Sequence, residues 1–243
     1  MKFTENLSTV VGAALLSVVA FSLPQFSFAN DSDHSIPRAV EAALAMDEAP
    51  KPVREPIPGS LWPQFRVYAK ANAKPAQVEE VFIDSDHHKE YFKDIGITKS
   101  EIIKGRGTSK TEVAYFLKFP MGLGSDDYAT TNVLEADIGR GVYTVSWEVV
   151  RSTACISKTD GKQPYSTGNV RLEPYEDGTL ITYTSRVSPK DRMGVTWGWV
   201  IDGAEKTVVT TVGSLVKQVE SELKQNPQEM DRQLEALRTA LAN

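Results

Sequence analysis

Apolar and polar residues alternate along most of the middle of the chain. Between 142 and 150, for example, Tyr143, Val145 and Trp147 are separated by Thr144 and Ser146. A period of two is typical of a strand with one buried face, because successive side chains point to opposite faces of a sheet. The same pattern predicts about seven strands, at 65–73, 97–104, 111–119, 128–136, 142–150, around 170–172 and at 180–187.

Short turns separate these predicted strands. Glu176-Asp177-Gly178 precedes the last one and is a strong hairpin signal. The glycine pairs in Gly105-Arg106-Gly107 and Gly139-Arg140-Gly141 mark two further turns. Neighbouring strands joined in this way form an antiparallel meander. Since only one face of each strand is apolar, we expect the sheet to cover other elements on one side only.

A helical period appears on either side of the strand region. Pro75 opens a helix at a position where its missing N–H costs nothing, and a second short helix follows around Tyr91. Towards the C-terminus, apolar residues step by three or four from Ile201 to Leu223, and Asn226-Pro227 ends this long helix. Strand, two short helices, about six strands and one long helix predict an α+β fold, with helices segregated on one side of an antiparallel sheet.

The N-terminus has the pattern of a secretory signal peptide. An apolar run from Val10 to Leu23 is followed by Pro24 and by small residues at Ser27 and Ala29. We expect cleavage after Ala29 and a mature protein in the periplasm or outside the cell, with no stable membrane anchor. An uncleaved N-terminal anchor is the alternative, although the run is short for a membrane span.

Four parts follow from these patterns. Residues 1–29 are the signal peptide, and 30–63 form a proline-rich linker with a short amphipathic helix at 37–46. The domain covers 64–224. In the last part, 225–243, a short amphipathic helix at 228–241 is expected to dock on the domain, pair with a protein partner or stay loose.

Charge and cysteine content exclude several classes of protein. The net charge of −5 argues against binding to nucleic acid or to anionic lipid surfaces. Cys155 is the only cysteine, so no intramolecular disulfide can form and the fold must rest on its hydrophobic core. Cys155 itself, between Ala154 and Ile156, is interpreted as a small apolar residue and not as a nucleophile.

Three stretches resemble the helix-grip superfamily, which includes START domains, pollen-allergen-like proteins, polyketide cyclases and coenzyme Q-binding proteins. Residues 73–82 are similar to the passage from the first strand to the first helix, where proline precedes a Val and an aromatic residue. Residues 91–95 with 100–103 resemble the short second helix and the strand after it, and 197–200 the start of the C-terminal helix. The resemblance covers 64–223 and is nearest to the cyclase/coenzyme Q-binding and START lipid-binding branches.

The resemblance implies a curved sheet wrapped around the long helix. One helix is about 10 Å across, which is too narrow to fill the concave side of such a sheet, so an apolar cavity of the kind that binds small molecules is expected. The predicted ligand-binding residues are Tyr115, Leu117, Phe119, Trp147, Tyr183, Trp197, Trp199, Val200 and Ala204. The resemblance places Trp197 and Trp199 at the mouth of the cavity. Ordinary core packing is the alternative for each of these residues.

Other chemistry finds little support. Asp84, Asp86, His87 and His88 cluster in the sequence, but adjacent histidines point apart on a helix, so we interpret them as a solvated helix boundary and predict no metal site. No G-x-S-x-G motif is present, and the glycine pairs fit hairpin turns better than phosphate loops. No cofactor and no catalytic residue are assigned.

Three functions remain. The first is an exported binding or carrier protein for an apolar small molecule such as a lipid, sterol or quinone. The second is an enzyme of the cyclase or dehydratase type, which would need Tyr115 or Tyr183 beside a bound polyketone; export argues against it, because the tethered substrates of such enzymes are cytoplasmic. The third is a protein with a filled core that binds a protein partner through its C-terminal helix.

Overall fold

The computed structural model describes residues 50–60, 62–118, 125–150, 152, 165–188 and 198–225, together with Glu41 and Leu44. Its strands are β1 Lys51–Glu55, β2 Gln64–Ala71, β3 Ile97–Lys104, β4 Lys110–Lys118, β5 Ser125–Asp137, β6 Val142–Val150, β7 Tyr165–Tyr175 and β8 Gly178–Ser188. The labelled helices are α1 Pro75–Ile83, α2 His88–Tyr91 and α3 Gly198–Gln225, with 3-10 turns at Ser85–His87 and Lys93–Ile95.

The strands form a single antiparallel sheet. Its eight strands lie in the order β1-β2-β8-β7-β6-β5-β4-β3. From β3 to β8 each strand pairs with the next one in the chain, and β2 pairs with β8. The sheet is curved, with a long C-terminal helix and two short helices after the first predicted strand. The predicted α+β fold is therefore confirmed.

The structure adds an edge strand to a part of the chain that was predicted to be a linker. In β1, Lys51 to Glu55 pair with the start of β2. Pro52 is tolerated there because an edge strand needs no N–H on its outer side. Arg54 forms ion pairs with Asp202, at 2.6 Å, and with Glu205, both on α3. The proline-rich segment is therefore not a linker throughout, and its strand is attached to the long helix.

Strand β7 also begins earlier than its pattern suggested. We predicted a strand only around 170–172, but β7 starts at Tyr165. Gly168 and Asn169 have low strand propensity, which hides the strand in the sequence. Pairing with β6 on one side and β8 on the other overrides that propensity.

The long helix packs along the concave side of the sheet. The predicted stripe is confirmed at Val208, Val212, Leu215 and Val219, which are all buried in the core. Burial of such side chains contributes about 1.5–3 kcal/mol each, so this stripe holds α3 to the sheet. None of the helices in the described ranges combines the length and apolar character needed to cross a membrane.

Several predictions concern residues outside the described ranges. The signal peptide at 1–29 and the short C-terminal helix at 228–241 are among them. Of the helix predicted at 37–46, the structure describes Glu41 and Leu44, which are both helical, with Leu44 buried. All described residues belong to one compact unit.

Candidate functional site

Two groups of side chains share the concave face of the sheet. One group, here called the aliphatic core, is completely closed: Val67, Val170 and Val212 are 0% exposed. Ile181 and Leu215 complete it, at 0% and 1%. Such a filled, close-packed region is typical of a protein interior. It leaves no room for a ligand.

The second group, here called the aromatic cluster, consists of Phe82, His88, Tyr115, Trp147 and Tyr183. Its ring centroids lie 5.0 Å apart for Trp147 and Tyr183, and 6.1 Å and 6.4 Å apart for Phe82 with each of them. His88 lies 6.1 Å from Phe82 and stacks on Tyr115 at 5.9 Å with an interplanar angle of 14°. These separations are those of interacting aromatic pairs. The rings therefore form one continuous surface from α1 and α2 to β4, β6 and β8.

Part of the aromatic cluster remains accessible. Phe82, Trp147 and Tyr183 are only partly buried, although all three pack against the core. At the same time, desolvation raises the pKa of the Tyr183 hydroxyl, and the neighbouring Tyr115 raises it further. A side chain that is surrounded by protein and still reachable by a water-sized sphere is typical of the lining of a cavity or cleft.

A glycine makes room for the Trp147 ring. Gly168 on β7 lies directly opposite Trp147 on β6. A Cβ atom at Gly168 would lie 2.3 Å from Cζ2 and 2.9 Å from Cε2 of the indole, and 2.3 Å from the carbonyl oxygen of Thr184. Any side chain at this position would therefore displace the indole or the backbone. Glycine inside a strand is a known sign of such close approach, so this signal was present in the sequence and was not used.

His88 and Tyr115 form a buried polar pair. His88 Nε2 lies 2.8 Å from the carbonyl oxygen of Phe82 and must donate to it. Nδ1 is then unprotonated and accepts from the Tyr115 hydroxyl at 2.9 Å. Burial lowers the pKa of His88 to about 4, and burial raises the pKa of Tyr115 to about 12 against the opposing effect of Ser85 and Asn132. Both side chains are therefore uncharged near neutral pH.

The prediction of a solvated histidine pair is wrong for His88. It is 4% exposed, because α2 turns it into the aromatic cluster. His87 points the other way, is largely exposed and contacts Asp84 at 2.8 Å. Asp84 also accepts from the Tyr91 hydroxyl at 2.7 Å. Within the described ranges, no three His, Cys, Asp or Glu side chains come together as metal ligands.

The polar tips of Trp147 and Tyr183 differ from that of Tyr115. In the described part of the chain, neither the Trp147 indole N–H nor the Tyr183 hydroxyl has a hydrogen-bond partner. Ser185 follows Tyr183 on the same face of β8, opposite Gly168, and is 3% exposed. Its hydroxyl also has no partner among these residues. Groups able to hydrogen-bond are therefore left available beside apolar rings.

A further buried polar group is the carboxyl of Glu79 on α1. Glu79 is 0% exposed, and both of its oxygens lack a hydrogen-bond partner among the described residues. Burial raises its pKa well above the ordinary value, and the neighbouring Glu80 adds to the effect. Glu79 shares a helix face with Phe82, three residues later. The apolar stripe of α1 in the sequence did not predict a buried acid there.

The structure brings three of the predicted ligand-binding residues together, namely Tyr115, Trp147 and Tyr183. Leu117 on β4 and Ala204 on α3 are half-buried and pack against the same core. The backbone of Trp199 and Val200 lies in the first turn of α3, and their side chains are not described. Phe119 and Trp197 lie outside the described residues. The role of all nine as ligand contacts stays a prediction.

Phe82 completes the cluster and was not predicted as a site residue. Its position in the apolar stripe of α1 marked it only as core, because periodicity does not distinguish a filled core from a cavity wall.

A separate groove of about 420 Å³ lies beside α3. It is lined by residues of α3 and β2 and by Leu44 from the N-terminal part of the chain, with Lys70, Lys217 and Glu220 among its polar side chains. Of the predicted ligand-binding residues whose side chains the structure describes, none lines it. It is therefore distinct from the aromatic cluster.

Comparison with known proteins finds similar solved structures but no matching sequence. No protein-family model matches the chain, and no curated protein matches it. Among solved structures, a STAR-related lipid transfer protein from Xanthomonas axonopodis is similar with a TM-score of 0.61 and 23% identity, covering 71% of this chain and 94% of that chain. Human StAR-related lipid transfer protein 5 has a TM-score of 0.58 and 12% identity, covering 75% and 93%.

Human STARD10 is a third such neighbour, with a TM-score of 0.54 and 15% identity, covering 78% of this chain and 82% of that chain. These likenesses show that the chain has a START-type helix-grip fold, as the resemblance in its sequence implied.

Proposed function

We propose that this protein is an exported binding or carrier protein for a hydrophobic small molecule, such as a lipid, sterol or quinone. The observation that carries the proposal is the aromatic cluster, where Phe82, Trp147 and Tyr183 line the concave face and stay partly accessible, while the Tyr183 hydroxyl is desolvated. Structural neighbours named as lipid transfer proteins support it. So does the signal-peptide pattern of residues 1–29.

The energetics of an occupied cluster favour binding. Covering apolar surface contributes about 25 cal/mol per Å², so 100 Å² of ring surface covered by a ligand would contribute about 2.5 kcal/mol. The rings already lie at the separations of packed aromatic pairs. They need little reorganisation when a flat or chain-like ligand lies against them, which lowers the cost of binding.

The electrostatics of the cluster support a binding protein over an enzyme. A general acid or base works best with a pKa near the operating pH. The His88 pKa, at about 4, lies well below neutrality, and the Tyr115 pKa, at about 12, lies well above it. The hydrogen bond between them also occupies the lone pair of His88 that a base would use. Neither group is suited to proton transfer near pH 7.

Ligand occupancy is tested first on the protein as it is made. The mature protein is purified from its own compartment without detergent and studied by native mass spectrometry, followed by organic extraction. We expect a stoichiometric apolar adduct or, from an empty protein, saturable binding of the neutral fluorescent probe N-phenyl-1-naphthylamine. Absence of both would contradict the carrier function.

A matched pair of variants locates the binding site. Ala204→Trp puts a large ring on the half-buried side of α3, whereas Lys206→Trp puts the same ring on its exposed side. We expect Ala204→Trp to abolish or strongly weaken binding of N-phenyl-1-naphthylamine, and Lys206→Trp to leave it unchanged. Equal effects of both variants would place the probe elsewhere on the protein.

Export is tested separately. Expression of the whole chain should yield a mature protein that begins at Asn30, whereas a chain lacking 1–29 should stay in the cytoplasm. N-terminal sequencing and cell fractionation distinguish these outcomes. A secreted protein that keeps Met1 would contradict cleavage, and a cytoplasmic whole-length protein would contradict export.

A further inference from the structure

The unpartnered polar groups of the aromatic cluster carry information about the ligand. A buried tyrosine hydroxyl or indole N–H usually has a partner, and leaving one unmade costs about 1–3 kcal/mol. In the same cluster, Tyr115 follows that rule through His88. Within the described part of the chain, Trp147 Nε1 and Tyr183 Oη have no such partner and are not among the fully buried atoms. Both groups are therefore open to a hydrogen bond with a bound molecule.

The geometry brings these groups towards one place. The rings of Trp147 and Tyr183 are neighbours at 5.0 Å, and both contact Phe82. The indole edge that lies over Gly168 includes Cε2, the ring carbon bonded to Nε1. Because Gly168 has no side chain, the indole lies close over β7 and its ring reaches the Tyr183 ring on β8. Strand β8 carries Tyr183 and, two residues later on the same face, the buried Ser185, which pairs with Gly168.

The chemistry of these groups selects the polar part of a ligand. The indole N–H can only donate a hydrogen bond, while the tyrosine and serine hydroxyls can donate or accept. All three are uncharged. His88, the basic side chain of the cluster, is neutral because Nε2 alone carries a proton. A carboxylate or phosphate would therefore meet no positive charge in the aromatic cluster, and burying an unpaired charge is costly.

We infer that the ligand is an uncharged amphiphile that presents a keto or ester oxygen to the indole N–H of Trp147 and the hydroxyl of Tyr183, with Ser185 beside them. This inference rests on the proposed binding function and specifies the ligand class. Pure hydrocarbons and anionic fatty acids are excluded as preferred ligands.

The test compares two probes with closely similar rings. Menadione is a methylnaphthoquinone with two keto oxygens, and 2-methylnaphthalene is its counterpart without oxygen. Binding is measured by displacement of N-phenyl-1-naphthylamine from wild type and from Tyr183→Phe, which removes only the hydroxyl oxygen. We expect Tyr183→Phe to weaken menadione about fivefold, the effect of one neutral hydrogen bond, and to leave 2-methylnaphthalene unchanged.

The matched control is Tyr68→Phe. Tyr68 lies on β2 between the inward-facing Val67 and Ala69 and therefore on the opposite face of the sheet. This variant should bind both probes as wild type does. Circular dichroism and thermal melting are used to check that both variants fold.

A second comparison tests the absence of charge. At pH 8, methyl palmitate should bind wild type on the order of tenfold more tightly than palmitate, because the anion loses hydration without gaining a counter-charge. Palmitate binding as tightly as the ester, or more tightly, would overturn the inference.

The outcomes separate this inference from the function on which it rests. If Tyr183→Phe changes the affinity for both probes equally, or for neither, no keto oxygen pairs with Tyr183 and the inference is wrong, although the binding function stands. If N-phenyl-1-naphthylamine and both ring probes fail to bind wild type, the proposed function fails and the inference fails with it.

Discussion

The aliphatic core and the aromatic cluster lie on the same face of one sheet, yet they fill the concave space differently. Branched aliphatic side chains such as Val67, Val170 and Val212 interdigitate until none of their surface is exposed. Flat rings with polar tips contact each other mainly in pairs, and Trp147 and Tyr183 keep accessible surface. The aliphatic core therefore stabilises the fold, and the aromatic cluster keeps surface that remains accessible.

The contrast also extends to polar groups. The aliphatic core contains no side-chain hydrogen-bonding group at all, since its five members are Val, Ile and Leu. In the aromatic cluster the His88–Tyr115 pair is satisfied, while the tips of Trp147 and Tyr183 have no partner among the described residues. We therefore expect stability and the proposed binding to depend on separate parts of the same face, so single substitutions can distinguish them.

The largest expected effect comes from the same truncation in the aliphatic core and at Leu117, which follows Tyr115 on the same face of β4. Leu215→Ala leaves a cavity in the closed aliphatic core and should lower the free energy of unfolding by about 3 kcal/mol. Leu117→Ala removes the same atoms from a half-buried position and should cost about 1 kcal/mol. Urea unfolding measures both, and equal losses would show that the two regions are packed alike.

The next largest expected effect is a loss of stability at low pH, which follows from the lowered pKa of the buried His88. The pKa of His88 is about 4 in the folded protein, compared with 6.5 for a histidine in an unfolded chain. A lowered pKa contributes stability that is present above pH 6.5 and lost as pH falls through 4, by at most about 3 kcal/mol.

Unfolding at pH 7 and at pH 4 measures this loss in wild type. In His88→Leu, the loss between the two pH values should be smaller by most of that amount. The matched control is the exposed His87 in His87→Leu. The hydrogen bond with Asp84 raises the pKa of His87, so its stabilising effect is fully present at pH 4, and the variant should lose at least as much stability as wild type. A histidine that contributed nothing at pH 4 would leave His88→Leu as acid-sensitive as wild type.

A smaller effect tests how Trp147 is placed. Gly168→Ala forces a Cβ atom against the indole and the Thr184 carbonyl, and such overpacking costs about 2 kcal/mol. Because the indole must move, binding of N-phenyl-1-naphthylamine should also weaken. Gly203→Ala adds a methyl group where none of the neighbouring atoms would clash, and it serves as the control. Unchanged tryptophan fluorescence in Gly168→Ala would contradict the placement of the ring.

The smallest expected effect concerns the buried acid on α1. Burial raises the pKa of Glu79 above its ordinary 4.5, so its contribution to stability is fully present below pH 4.5 and is lost as pH rises through the raised pKa. Glu79→Gln removes this ionisation and should gain about 1 kcal/mol over wild type between pH 4.5 and pH 8. A difference that does not change with pH would show that Glu79 is not an uncharged buried acid.

Much of the architecture could be predicted from local patterns. Period two in the apolar residues predicted β2 to β6 and β8 closely, and steps of three or four predicted α3 from Ile201 to Leu223. Strand β1 was missed because Pro52 and its neighbouring prolines suggested a linker. The start of β7 was missed because Gly168 interrupts its pattern. In both places, pairing with a distant strand outweighs local propensity.

The candidate site was predicted only in part for the same reason. Alternation placed Tyr115, Trp147 and Tyr183 on apolar strand faces, and the structure brings them into one cluster. The partner of Tyr115 is His88, 27 residues away, which had been interpreted as solvated. A helix turn decides which of two adjacent histidines is buried, and the short 87–91 segment has too few residues to show a period.

The sequence by itself determined the order of the elements, the apolar face of each strand and the long helix, because these depend on residues close together in the chain. Only the tertiary structure decided which faces close completely and which stay accessible. That outcome depends on register across β6, β7 and β8, on the space that Gly168 leaves for Trp147, and on where α1 places Phe82. Such contacts join distant residues by shape and volume, and no local period records them.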